Sequence, residues 1–161
     1  MIFLSYVSQD RDRVNPYYEL LESKGFDVWI DHKRILPGQN WNYEIRTALD
    51  RADQIIIFIS ENSVDKRGYA QREISIALEK LEEKLLSDIY IIPILLDDVD
   101  PPNILKKLHY LKSNGRNVSA ELLRSIETAS SKAKSIIEHT QKESDLKWGV
   151  TDAKSSYSGI P

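Results

Sequence analysis

Apolar positions along this chain come in short blocks that alternate with helical spacing. Ile2-Phe-Leu-Ser5 reads as a first buried strand. Asn15 to Lys24 reads as a short helix, with Asn15 placed to cap it, Pro16 in its first turn and Gly25 ending it. Phe26 to Ile30 predicts a second strand that reaches Asp31 at its end. The stretch from His32 to Asn40 is a loop marked by Pro37-Gly38. Trp41, Ile45, Ala48 and Leu49 then fall at i, i+4, i+7 and i+8, which predicts a helix from Trp41 to Ala52.

Ile55-Ile-Ile-Phe-Ile59 is apolar at every position, as a strand covered on both faces must be, and therefore belongs at the centre of a parallel sheet. A helix is predicted over 70–86, with Ile74, Ala77, Leu78, Leu81 and Leu85 on one stripe. Ile89 to Leu95 is a fourth strand, followed by the acidic turn Asp97-Asp-Val-Asp-Pro-Pro102 and a turn or two of helix over Ile104–Leu108. His109-Tyr-Leu111 is a weak fifth strand, and Ser119 to about His139 a last helix with Leu122, Leu123, Ile126, Ala129, Ala133, Ile136 and Ile137 on its apolar side. Strand–helix alternation over the whole length means an α/β domain with a parallel sheet. The domain is expected to span 1–139, with 140–161 a disordered tail or linker.

Composition narrows the classes. The chain has 161 residues, 41% of them hydrophobic, enough for one domain and one core. A formal net charge of −3 gives no pull toward nucleic acid or membrane, and neither partner is expected. The absence of Cys excludes disulfides and thiolate metal sites. The N-terminus lacks the basic and apolar regions of a signal peptide, and a cytoplasmic location is expected.

Candidate chemistry centres on Tyr69 and Glu73. At i, i+4 they share one face of the helix after the third strand, near the crevice where open parallel sheets bind ligands. Ser5, Tyr6 and Asp31 stand at the ends of the first two predicted strands, and Leu36 sits in the loop after Asp31. His32 reads as a solvated loop imidazole, Trp29 and Trp41 as core residues, and the Asp97–Asp100 turn as a solvated acidic turn rather than a metal site; no metal is expected. Neither a Gly-x-x-x-x-Gly-Lys-Ser/Thr loop nor a Gly-x-Gly-x-x-Gly run follows the first strand.

Taken in order, Ile2-Phe-Leu-Ser-Tyr-Val-Ser8, Gly25-Phe-Asp-Val-Trp-Ile-Asp31, Leu36-Pro-Gly38, Trp41…Ile45…Ala48-Leu49, Ile55-Ile-Ile-Phe-Ile-Ser60 and Tyr69-Ala-Gln-Arg-Glu73 resemble a TIR (Toll/interleukin-1 receptor) domain of the bacterial, NAD-cleaving type. Tyr69 stands where that family often has Trp, and the late Phe-Trp motif of many animal members has no clear counterpart near His109-Tyr110.

The resemblance implies a flavodoxin-like three-layer sandwich with a five-stranded parallel sheet in the order 2-1-3-4-5. It further implies hydrolysis or cyclisation at the nicotinamide–ribose bond of NAD, in bacterial defence or signalling, with Glu73 as the essential carboxylate and NAD as substrate rather than cofactor. Ser5, Tyr6, Asp31, Leu36 and Tyr69 would bind substrate. Homo-oligomerisation through TIR–TIR contacts is expected, with the exposed Ile35-Leu36 pair as one surface, and a fused or associated sensor domain is possible in such proteins. Two other readings fit the same fold: a non-catalytic TIR–TIR signalling module, and a nucleoside deoxyribosyltransferase-like enzyme.

Overall fold

The computed structural model describes residues 1–64 and 89–152. Compact units cover Met1–Ile126 and the chain from Glu127 onward. In the first unit, β1 (Ile2–Ser5), β2 (Val28–Trp29), β3 (Gln54–Ile59), β4 (Ile91–Leu95) and β5 (Leu111–Lys112) form one parallel sheet in the order β2-β1-β3-β4-β5. This is the order the family resemblance implied. β3 is buried at all six positions, as its unbroken apolar run requires of a central strand.

Alternation along the strands divides the core into two layers. Ile2, Leu4, Ile56, Phe58, Ile92 and Ile94 face Val14, Tyr18 and Leu21 of helix α1 (Arg11–Ser23) and Leu122 and Ile126 of the last helix. Phe3, Ile55, Ile57, Ile59, Ile91 and Leu95 face the other way, onto Ile45, Ala48 and Leu49 of helix α3 (Trp41–Arg51). A period of two on strands thus meets a period of 3.6 on helices, giving three layers. Trp29 is buried and stacks on Phe3 with ring centroids 4.7 Å apart. Trp41, expected in the core, is exposed: it is the first residue of α3, one turn beyond Ile45 at the open end of the buried stripe.

Before α3, helix boundaries differ from expectation in two places. α1 begins at Arg11, so Asn15 and Pro16 lie inside it rather than at its start. The Val14/Tyr18/Leu21 stripe drives the helix through Pro16, whose missing N–H leaves the Asp12 carbonyl without its helical partner. Asp12 and Pro16 are both exposed, so water reaches that carbonyl. The segment after β2 is not all loop: Asp31–Arg34 forms a turn of helix, α2, before the chain turns through Gly38 at φ +91°. Ile35 is partly buried against the second core layer, which leaves Leu36 alone of the pair exposed.

Asn40 caps α3 by accepting from the Tyr43 N–H at 3.1 Å. Gly25, at φ +83°, closes α1 in the left-handed conformation that Gly adopts without penalty. After β3, a short helix α4 spans Glu61–Val64. Ser60 caps it, its Oγ accepting from Ser63 N–H while Ser63 Oγ accepts from Ser60 N–H, a reciprocal box.

The last helix, α5, covers Val118–Asp152. In the second unit it runs past Thr140, through Gln, Lys, Glu and Leu residues that favour helix, with Ile136, Ile137 and Leu146 exposed. The helix predicted over 70–86 lies outside the described residues.

Candidate functional site

Parallel strands send all their carboxyl ends to one edge of the sheet. In this order β1 is followed by β2 on one side and β3 by β4 on the other, so β1 and β3 flank the switch point at which open parallel sheets take ligands. β1 ends at the buried Ser5 and delivers Tyr6; β2 is followed by Asp31; β3 delivers the buried Ser60; β4 leads to Asp97.

Two polar clusters stand along this edge. In the first, the Tyr6 hydroxyl donates to Asp31 Oδ1 at 2.5 Å and lies 2.9 Å from His32 Nδ1. The Tyr6 and His32 rings meet edge-on, with centroids 6.3 Å apart. Asp31 and His32 open α2, and their side chains are each 17% exposed, mostly covered but reached by water. Burial, reinforced by the Asp31 carboxylate, pushes the Tyr6 phenol well above its usual range; the nearby Arg11 opposes this only in part. Tyr6 is therefore a neutral hydrogen-bond donor at any physiological pH.

In the second cluster, Asp10 is fully buried and accepts from the Ser60 hydroxyl, from Asn62 Nδ2 at 2.9 Å and, more distantly, from Arg13 at 3.5 Å. Arg13 also grips Asp97 with both terminal nitrogens, at 2.7 and 3.1 Å, and the Leu96 carbonyl at 2.5 Å. Asp97 accepts in addition from the Glu61 N–H at 2.9 Å. Its carboxyl is held below the usual range, first by the Arg13 hydrogen bonds and then by that N–H. The cluster fastens the start of α1, the β3–α4 turn and the end of β4 to one another. Asp97 is thus a partner of Arg13 rather than a purely solvated acid.

The structure brings Tyr6 and Asp31 into direct contact and sets Ser5 beside Tyr6 at the end of β1. Leu36 lies farther along the loop, 64% exposed, with its N–H bonded to Gln39 Oε1. Tyr69 and Glu73 lie outside the described residues.

His32 and Asp10 are the two participants that pattern reading missed. His32 is no free loop imidazole; its nearness to Asp31 in sequence was the available signal. Asp10 is the acid one turn before the Val14/Tyr18/Leu21 stripe, and nothing in local sequence announces its partners 50 and 52 residues away. Among the described residues no helix is long and apolar enough to cross a membrane, and no group of three or more His, Cys, Asp or Glu is placed to hold a metal.

A five-stranded parallel domain in this order, with a polar crevice where β1 and β3 part, belongs to the flavodoxin-like class of α/β folds. Within that class the assignment is specific: the TIR domain family model matches residues 2–126, and the chain belongs to that family.

Solved structures agree in fold. The TIR domain of the Toll-related receptor TRR-2 from Hydra magnipapillata superposes with a TM-score of 0.66 at 21% identity, covering 78% of this chain and 97% of that one. A metazoan TIR-STING receptor from C. gigas in complex with 2',3'-cGAMP also gives 0.66 at 21% identity, over 78% of this chain and 38% of that receptor. A second structure of a metazoan TIR-STING receptor from C. gigas gives 0.63 at 20% identity, over 78% of this chain and 39% of that one. This chain therefore corresponds to under two fifths of the TIR-STING receptor. No match was found among curated protein sequences.

Proposed function

We propose that this TIR domain cleaves the nicotinamide–ribose bond of NAD. The observation that carries the reading is the Tyr6–Asp31–His32 cluster at the carboxyl ends of β1 and β2, beside the switch point of the sheet. It offers a neutral donor and a carboxylate at the place where parallel sheets take nucleotides. Membership of the TIR family and the helical i, i+4 spacing of Tyr69 and Glu73 supply the rest.

The chemistry suits a single carboxylate. Nicotinamide is cationic in NAD and leaves as a neutral base with the bonding electron pair, so no general acid is required. The ribose C1′ becomes oxocarbenium-like, and Glu73 as a fixed anion stabilises that charge or orients the hydroxyls. Water then adds at C1′ and loses a proton, giving ADP-ribose; attack by the adenine ring of the same molecule gives a cyclic product instead. Tyr69 walls the nicotinamide end, while Ser5, Tyr6 and Asp31 hold the sugar.

The observation that favours self-association is the apolar surface of Leu36, Trp41 and Tyr43, all exposed around the Gly38 turn. Assembly and cleavage are compatible, since a neighbouring copy that orders this loop raises the fraction of competent sites. The test is incubation of concentrated protein with NAD, with chromatography for free nicotinamide. A parallel reaction with a deoxynucleoside and a free base detects sugar transfer between bases. Nicotinamide release without base exchange supports NAD cleavage. Base exchange without nicotinamide points to a deoxyribosyltransferase, and neither product to a non-catalytic assembly module.

A further inference from the structure

We infer that His32 is a positioning residue, acting through Tyr6 to hold Asp31 as the acceptor of a sugar hydroxyl in the crevice. The inference rests on the reading of this crevice as the NAD site and deepens it.

Proton counting sets the direction of the chain of hydrogen bonds. Tyr6 has one hydroxyl proton, and the carboxylate of Asp31, 2.5 Å away, has none to give. The phenol proton therefore points at Asp31 Oδ1. The 2.9 Å contact between the phenol oxygen and His32 Nδ1 must then be made with a proton from the imidazole. The opposite choice, Tyr6 donating to His32, would set two oxygen acceptors 2.5 Å apart with no proton between them. His32 Nδ1–H thus donates to Tyr6 at 2.9 Å, with Asp31 Oδ1 farther off at 3.4 Å, and Tyr6 donates to Asp31. Each bond in such a chain polarises the next.

That chain uses one oxygen of Asp31 and leaves the other free. Among the described residues Asp31 Oδ2 has no hydrogen-bond partner, and it is not sealed from water: the buried side-chain oxygen without a partner there is Asn15 Oδ1, in α1. A carboxylate whose orientation is fixed through one oxygen, with the second reached by water, suits a ligand hydroxyl. Were the cluster only a pin between α2 and β1, losing it would reduce the amount of folded protein and leave the affinity of each folded site unchanged. The two roles are therefore separable by KM and kcat.

The first measurement needs no activity. The imidazole ¹⁵N shifts of His32 in the full chain should report the Nδ1–H tautomer. The second compares kinetics with NAD. His32→Phe should raise KM about tenfold or more, in line with loss of one charge-assisted contact, and lower kcat by less. His32→Asn, whose side-chain amide can donate from near the same place, should recover most of that loss.

Should the wild type release no nicotinamide, the NAD-cleavage reading fails by itself. The inference is then decided by titration with ADP-ribose, where about tenfold weaker binding by His32→Phe supports it. An Nε2–H tautomer in the wild type overturns the inference. So does a His32→Phe KM within twofold of wild type, or ADP-ribose binding that is absent or indifferent to His32.

Discussion

Removing the Asp10 carboxylate should be among the most damaging polar substitutions in this domain. Asp10 is fully buried and satisfies two close donors, the Ser60 hydroxyl and Asn62 Nδ2 at 2.9 Å. The 3.5 Å contact to Arg13 is long, and Arg13 is 40% exposed, so it counts for little. Hydrogen bonds to a charged acceptor are worth about 1.5–3 kcal/mol each, and Ser60 is itself completely buried, with no water to replace the lost partner. Asp10→Ala should therefore cost about 3–4 kcal/mol, a large part of the ~5–15 kcal/mol that stabilises a typical domain. At about 2–4 °C per kcal/mol for a chain of this size, the melting temperature should fall by roughly 10 °C.

Urea unfolding followed by far-UV circular dichroism measures this, with a lower midpoint at unchanged slope. Asp10→Asn, which keeps one acceptor oxygen, should lose about half as much. A double-mutant cycle of Asp10→Ala with Ser60→Ala should show coupling above about 1 kcal/mol. A loss below about 1 kcal/mol for Asp10→Ala, or strict additivity with Ser60→Ala, would refute the reasoning.

Other perturbations test separate parts of the account. The Asp97 carboxyl is held below its ordinary 3.8 in the folded state, so its contribution is present above that pH and is lost as pH falls through the folded value; Asp97→Asn should flatten the acid limb of stability below about pH 4, as equilibrium unfolding against pH will show. Gly25→Ala should destabilise by about 1 kcal/mol in thermal melts, because φ +83° is strained for any residue with a Cβ even though nothing crowds that position. Leu36→Asp should reduce self-association in light scattering and lower specific activity without moving the melting temperature, since Leu36 is exposed and outside both core layers; unchanged association would remove this loop from the assembly surface.

The parts of the fold that could be read from sequence were those governed by short-range pattern. Five apolar residues in a row could only be a strand covered on both faces, and β3 lies at the centre of the sheet. Gly25 after a helical stripe announced a stop that the backbone keeps, whereas the Asn40 cap of α3 was read only as the end of a loop. Pro16 misled because proline is judged as a local breaker, while three buried contacts from Val14, Tyr18 and Leu21 outweigh one lost hydrogen bond to an exposed carbonyl. Tyr6 and Asp31 could be placed at the crevice because strand order alone sends them there. His32 and Asp10 could not, since their roles arise from partners 26 and 50 residues away whose meeting depends on the β2-β1-β3 arrangement and on side-chain geometry. Trp41 shows the converse: its helical spacing matched Ile45, but the first residue of a helix has no turn before it to pack against the sheet.

The central claim, that this TIR domain is an NAD-cleaving enzyme with Glu73 as its essential carboxylate, is tested most directly by one paired assay. Wild type and Glu73→Gln, matched for folded content by circular dichroism, are incubated with NAD at high protein concentration, and free nicotinamide is quantified. Loss of one electrostatic stabiliser of a cationic transition state costs about 3–4 kcal/mol, or a hundredfold to a thousandfold in rate. The account predicts nicotinamide from the wild type and a rate at least about a hundredfold lower from Glu73→Gln. Equal rates for the two proteins, or no nicotinamide from the wild type, would contradict it.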